Sequence, residues 1–297
     1  LVSSEGKVEA RILRMDDISI ELLIKGVPLP ILNAIRRIIQ LEVPTAAVED
    51  VIFYENNTSI YDEIIAHRLA MIPIYSEDAI RKLKPPEECS KCFEESPEIS
   101  PDELSKICEG CFTIARYQGE AVGEPLHVYA KDLRTDDPDI RPAYPEIPII
   151  FMGPGQRLSF DARIRIGRGF EHIKWSPVTV AGTRYVADIE TRRLSEKDAG
   201  DAEKCVEVCP VKILSFNRER SLIEVSDIYR CTLCMQCVKK CPPGSIEVRP
   251  RGDEYILFYE SSGQLSVRTI IMSAIDILIS KLDHLISQAE SLRGREG

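Results

Sequence analysis

Tryptophan occurs once in these 297 residues, histidine four times, and aromatic residues make up only 6% of the chain. The histidines (His67, His127, His172 and His284) stand in unrelated contexts, with no H-E-x-x-H pair to hold a catalytic zinc. The phosphate loop G-x4-G-K-[ST] and the G-x-S-x-G elbow are also missing, and no carboxylate pair stands out from solvated surface. No catalytic residue is therefore expected. Long apolar runs and a basic-then-apolar leader pattern are absent as well, so the expected location is cytoplasmic. Positive charge is scarce: 38 Lys and Arg against 48 Asp and Glu leave a net charge of -10. Phosphate contacts come from Lys and Arg, so a broad nucleic-acid-binding face is disfavoured.

Cysteine, by contrast, occurs ten times. In a reducing compartment this argues for metal rather than a disulfide framework. Cys231, Cys234, Cys237 and Cys241, followed by Pro242, have the spacing C-x2-C-x2-C-x3-C-P. Three thiolates so close together wrap three corners of a cubane cluster, and the fourth, before proline, serves the other cluster of a two-cluster ferredoxin. A degraded copy precedes it. Cys205 and Cys209-Pro210 match the end of the motif, but its first two positions are Ala199 and Ala202. By the crossover rule Cys209, Cys231, Cys234 and Cys237 hold one 4Fe–4S cluster. Cys205 and Cys241 are the orphan pair of the dismantled site, not needed as ligands and expected to be disulfide-bonded in oxidised protein. A single cluster in so short a segment suits a structural staple, with redox sensing as the other role. Cys89-x2-Cys92 and Cys108-x2-Cys111 have a ribbon-like spacing that points to structural zinc, the alternatives being two disulfides or free thiols.

Periodicity supplies the frame. Strands are expected at Val8–Leu13, Ile18–Ile24, Ala47–Tyr54, Leu126–Ala130, Pro148–Met152, Leu158–Ile166 and Tyr255–Glu260. Pro28 and Pro30 open a helix carrying Ile31, Leu32, Ile35, Ile38 and Ile39, which ends before Pro44. Between Ser76 and Tyr117 the composition turns acidic and proline-bearing. Thr191–Glu203 reads as charged and weakly structured, and Arg249–Gly252 as a turn. The longest helix runs from Val267 to about Leu292, with Ile271, Ile275, Leu278, Leu282, Leu285, Ala289 and Leu292 alternating by four and three. That seam suits either packing on its own domain or an intermolecular surface.

Longer motifs run through the chain as well. Pro30 to Ile39 followed by Glu42-Val-Pro44-Thr45, then Asp62 to Pro73, Pro154-Gly155-Gln156, Gly167 to Val178 and Glu260 to Leu265 occur in order over nearly its whole length. This series resembles the α-like assembly subunits of multisubunit RNA polymerases, and the ferredoxin-like segment resembles the insertion found in their archaeal branch. The resemblance implies an α+β fold in three parts. These are a split dimerisation domain (1–50 plus 251–297), a mainly β second domain (51–190) with the zinc-type loop, and an inserted iron–sulfur domain (191–250). It implies a non-catalytic platform of an archaeal DNA-dependent RNA polymerase. Subunit L would pair through a surface including Ile31, Leu32, Ile35, Ile271, Ile275, Leu278, Leu282 and Leu285. Arg36 and Arg37 would meet the large catalytic subunits, subunits N and P would join later, and DNA would be distant. The competing reading is a ferredoxin-like electron-transfer or redox-sensing protein.

Overall fold

The computed structural model describes residues 8–89, 92, 108–195 and 198–293. In chain order the elements are β1 (Glu9–Met15), β2 (Ser19–Lys25), α1 (Leu29–Leu41), β3 (Thr45–Asn56), α2 (Asp62–Ala70), α3 (Ala79–Lys82), α4 (Pro86–Cys89) and β4 (Phe112–Glu120). Then follow β5 (Leu126–Tyr129), β6 (Arg134–Thr135), β7 (Pro148–Met152), β8 (Arg157–Gly167) and β9 (Val178–Thr191). The chain closes with α5 (Ala199–Val206), β10 (Leu214–Asn217), β11 (Leu222–Val225), α6 (Gln236–Lys240), β12 (Ile246–Ser261) and α7 (Val267–Arg293). This is the expected α+β class. Among the described residues no helix is long and apolar enough to cross a membrane.

Two compact units divide the chain. The larger comprises Asp16–Ser19, Ala34–Ala181 and the residues from Tyr259 onward. Its sheet has the order β3-β8-β4-β6, and β8 explains it. Leu158, Phe160, Ala162, Ile164 and Ile166 alternate onto one face and are all buried, as a period of two requires for a half-buried strand. The residues between them face charge. Arg163 pairs with Asp50 across the β3–β8 ladder, and Arg165 meets Glu49 at 3.2 Å. Helix α2 adds Ile65 and Leu69, one turn apart and fully buried, to the same core.

Two glycines account for motif positions in this unit. A Cβ on Gly169 would fall 2.1 Å from the Gln40 carbonyl oxygen, and Phe170 N–H donates to Leu41 C=O at 3.0 Å. The backbone at Gly169 thus packs directly on the end of α1. Gly263 has φ +89°, and a Cβ there would meet the Tyr144 hydroxyl at 2.7 Å. That turn lets buried Gln264 donate to Ala46 C=O at 3.0 Å.

The smaller unit comprises the residues up to Met15, Ile20–Asn33 and Gly182–Phe258. It contributes most of a sheet of order β1-β2-β12-β9, plus the β10–β11 hairpin, paired from Leu214↔Val225 to Asn217↔Leu222. Strand β1 lies at the sheet edge, where Ile12 and Met15 remain exposed.

Two local expectations are corrected here. Arg249–Gly252 is not a turn but part of the sixteen-residue β12. Proline fits an extended strand and merely removes one N–H donor, so Pro250 interrupts hydrogen bonding without reversing the chain. The weakly structured stretch Thr191–Glu203 ends in helix: α5 begins at Ala199. Alanine favours helix, and Ala202 is fully buried. Glu196 and Lys197 lie outside the described residues, as do 93–107 between the first cysteine pairs.

Candidate functional site

The smaller unit gathers cysteines from two stretches of chain. Cys209 follows α5, while Cys231 and Cys234 lie on the loop that leads into α6 and Cys237 stands in the first turn of that helix. The β10–β11 hairpin connects the stretches and folds them back together. All four cysteines are free, and all four line one apolar cavity with Ile189, Ile213, Leu214, Met235 and Val248. Leu233 and Met235 have φ of 54° and 61°. Left-handed backbone at non-glycine residues is costly and collects at functional sites.

The electrostatics of the pocket disfavour bare thiolates. Burial pushes the Cys231 thiol up. The Leu233 N–H aimed at its sulfur opposes this, and Cys234 and Cys209 add to the rise. Burial likewise raises Cys237, against its hydrogen bond from Val238 N–H, with Cys231 and Cys234 contributing. A group carrying positive charge would relieve both effects. Among the described residues no three His, Cys, Asp or Glu groups stand where they would hold a single ion. A cubane takes one thiolate at each of its four corners, and the four cysteines are free and line one cavity. The donor set and apolar wall therefore fit a cluster.

Cys205 and Cys241 are joined by a disulfide, with Cα atoms 4.8 Å apart, and are nearly buried in a small core with Ala187, Ile223, Ile246 and Val248. The first cysteine group also forms disulfides, Cys89–Cys111 and Cys92–Cys108. Each bond joins one C-x2-C pair to the other. The structure thus has the disulfide alternative here, not a set of four thiolates, and metal binding would require both bonds to be reduced.

The larger unit presents a different feature. Helix α7 buries Val267, Ile270 and Ala274 on one face. Ile271, Ile275 and Leu278 are half-buried, and from Ile279 to Leu292 every residue is exposed. Leu282 and Leu285, both in the expected seam, are 46% and 61% exposed. Lys281 Nζ holds the Glu42 carboxylate at 2.6 Å just where this free portion begins. Ile279 and Ile286, outside the expected seam, are exposed too and widen the stripe. Their seven-residue spacing was the signal that could have found them.

On α1, Ile31 is exposed and Ile35 half-buried, but Leu32 is fully buried. Its inclusion in a partner surface is corrected: with Ile39, seven residues on and also fully buried, it marks the inward face of the helix. Arg37 is exposed, and Arg36 Nη1 donates to Gln40 Oε1 at 2.9 Å.

Comparison with known proteins gives this architecture a family. Residues 51–180 match the RNA polymerase Rpb3/RpoA insert domain. The chain is 32% identical to DNA-directed RNA polymerase subunit Rpo3 of Aeropyrum pernix, over 98% of both chains. It is 33% identical to the Pyrococcus furiosus subunit Rpo3, over 96% of this chain and 98% of that one. It is 35% identical to the Thermococcus kodakarensis subunit Rpo3, over 96% and 99%. At that identity over nearly its full length, the chain belongs to the Rpo3 family of archaeal DNA-directed RNA polymerase subunits.

Proposed function

We propose that this chain is the non-catalytic assembly platform of an archaeal DNA-dependent RNA polymerase. It pairs with the smaller subunit L, then organises subunits N and P and the two large catalytic subunits. The observation that carries this reading is the free end of α7, where Ile279, Leu282, Leu285, Ile286 and Leu292 all face solvent. Each such side chain contributes roughly 1.5–3 kcal/mol when fully buried, so the stripe suits a covered helix. The net charge of -10 suits a position away from DNA. Co-expression with subunit L tests the reading: a stable complex is expected, and two separately eluting proteins would refute it. Arg36 and Arg37 belong to the surface facing the large subunits. Reversing their charge should spare the pair with L but weaken core assembly.

The four free cysteines are read as the ligands of one 4Fe–4S cluster in the ferredoxin-like segment 191–250. When bound, the cluster would tie Cys209 covalently to the 231–237 segment, one link per cysteine. This chain's own contribution is the apolar wall and the N–H groups of Leu233 and Val238 directed at the sulfurs. Zinc at Cys89, Cys92, Cys108 and Cys111 is the reading for the reduced protein. Its support is the spacing, together with disulfides that already bring one pair to the other. Elemental analysis of protein purified under reductant should find about one zinc beside the iron. Its absence would leave the disulfides as the resident state.

A further inference from the structure

We propose that the Cys205–Cys241 disulfide is a positioning element for Cys209, so that its thiol–disulfide state sets how firmly the pocket retains iron. The inference rests on the cluster reading and adds a control to that site.

Three of the pocket thiols sit close together in sequence, on a loop and the first turn of α6, whereas Cys209 arrives from the far side of the β10–β11 hairpin. Something must fix its distance from the other three. Each half-cystine lies one turn from a pocket thiol, Cys205 before Cys209 and Cys241 after Cys237. Both turns are closed by backbone hydrogen bonds. Val208 N–H donates to Cys205 C=O and Cys209 N–H to Val206 C=O, each at 3.3 Å, and Cys241 N–H donates to Cys237 C=O at 2.9 Å. The path Cys209–Cys205–S–S–Cys241–Cys237 is therefore short and stiff, and the disulfide is the bond that carries it from one stretch to the other. Cys205 and Cys241 are 3% and 6% exposed, held in the small core. They also line a surface cleft with Asp198, Asp201 and Lys240, the side from which a small dithiol would reach them.

Reduction by a dithiol breaks the one S–S bond. Two electrons and two protons pass to Cys205 and Cys241 as two thiols, and the dithiol becomes its own disulfide. The four ligands remain, but Cys209 is then held only by packing and its local backbone hydrogen bonds, with no covalent tie to the Cys237–Cys241 turn. Loss of such outer support costs roughly tenfold or more in metal affinity.

The test uses the full chain, loaded anaerobically with ferrous iron and sulfide. Iron release to a chelator and the absorption spectrum are followed for oxidised wild type, dithiol-treated wild type, Cys205→Ala/Cys241→Ala and Cys209→Ser. Dithiol treatment and the double substitution should each speed release about tenfold or more. Their spectra should shift toward that of Cys209→Ser, a change that general loosening of the fold would not select. Reoxidation should restore slow release in wild type, and dithiol should add nothing in the double variant. Equal release from oxidised and dithiol-treated wild type would overturn the inference, whether or not the double variant folds. A folded double variant that takes up no iron would overturn it too, by making the pair ligands. If oxidised wild type takes up no iron, the cluster reading fails and this inference falls with it.

Discussion

Cys209, Cys231, Cys234 and Cys237 differ from the other cysteines in being free and in facing one cavity. Serine at any of the four should therefore cost the broad thiolate-to-iron absorption of a loaded cluster, because each supplies one corner. Serine at Cys205 or Cys241 should leave the iron-to-sulfide ratio unchanged. Anaerobic reconstitution of the six variants, with iron and sulfide counted, checks both statements. Gly263 makes a backbone prediction. Alanine there must adopt φ near +89° against the Tyr144 ring, so Gly263→Ala should destabilise by about 1–3 kcal/mol, seen in thermal melting. Glu49 makes one about pH. Burial pushes its carboxyl up, but Lys174 and Arg165 outweigh that and hold it below the ordinary range. A depressed carboxylate contributes stability above its unfolded pKa, and that contribution fades as pH falls. The advantage of wild type over Glu49→Gln should thus be full at pH 7 and shrink below about pH 4.3.

At the scale of the element, α7 is two helices in one. Its first turns pack on the core, and its last turns lie open to solvent. Replacing Leu282 and Leu285 with Asp should leave the fold and its melting temperature intact while abolishing co-elution with subunit L. A double variant that still pairs would remove this end of the helix from the interface. Sequence revealed this helix, α1, and the strands that alternate cleanly, since periodicity reports burial directly. It was silent where a side chain's surroundings come from distant segments. Leu32 and Ile31 are adjacent and similar in character, yet one is core and the other surface. The Arg249–Gly252 part of β12 passed for a turn because Arg-Pro-Arg-Gly imitates loop punctuation while sheet neighbours hold it extended. The cysteine spacings were legible because ligand geometry is local. The left-handed Leu233 and Met235 were not, since neither residue type advertises that conformation.

At the scale of the whole molecule, the free cysteines and the free end of α7 belong to different compact units. On the proposed cluster and the proposed pairing, stripping the iron should therefore loosen the smaller unit without dissolving the pair with L. Size-exclusion chromatography of iron-depleted complex checks this: co-elution is expected, and separation would mean that the metal supports the interface.

The bare stripe from Ile279 to Leu292 has a cost before any partner arrives. On the proposed pairing, a chain made in excess of its partner would carry a sticky handle able to find other copies of itself. Orphan molecules should scatter light increasingly with concentration, and a stoichiometric amount of partner should clear the solution. If this helix end is the pairing surface, it would thereby also make unmatched synthesis self-limiting, by marking every unpaired copy for clumping or disposal.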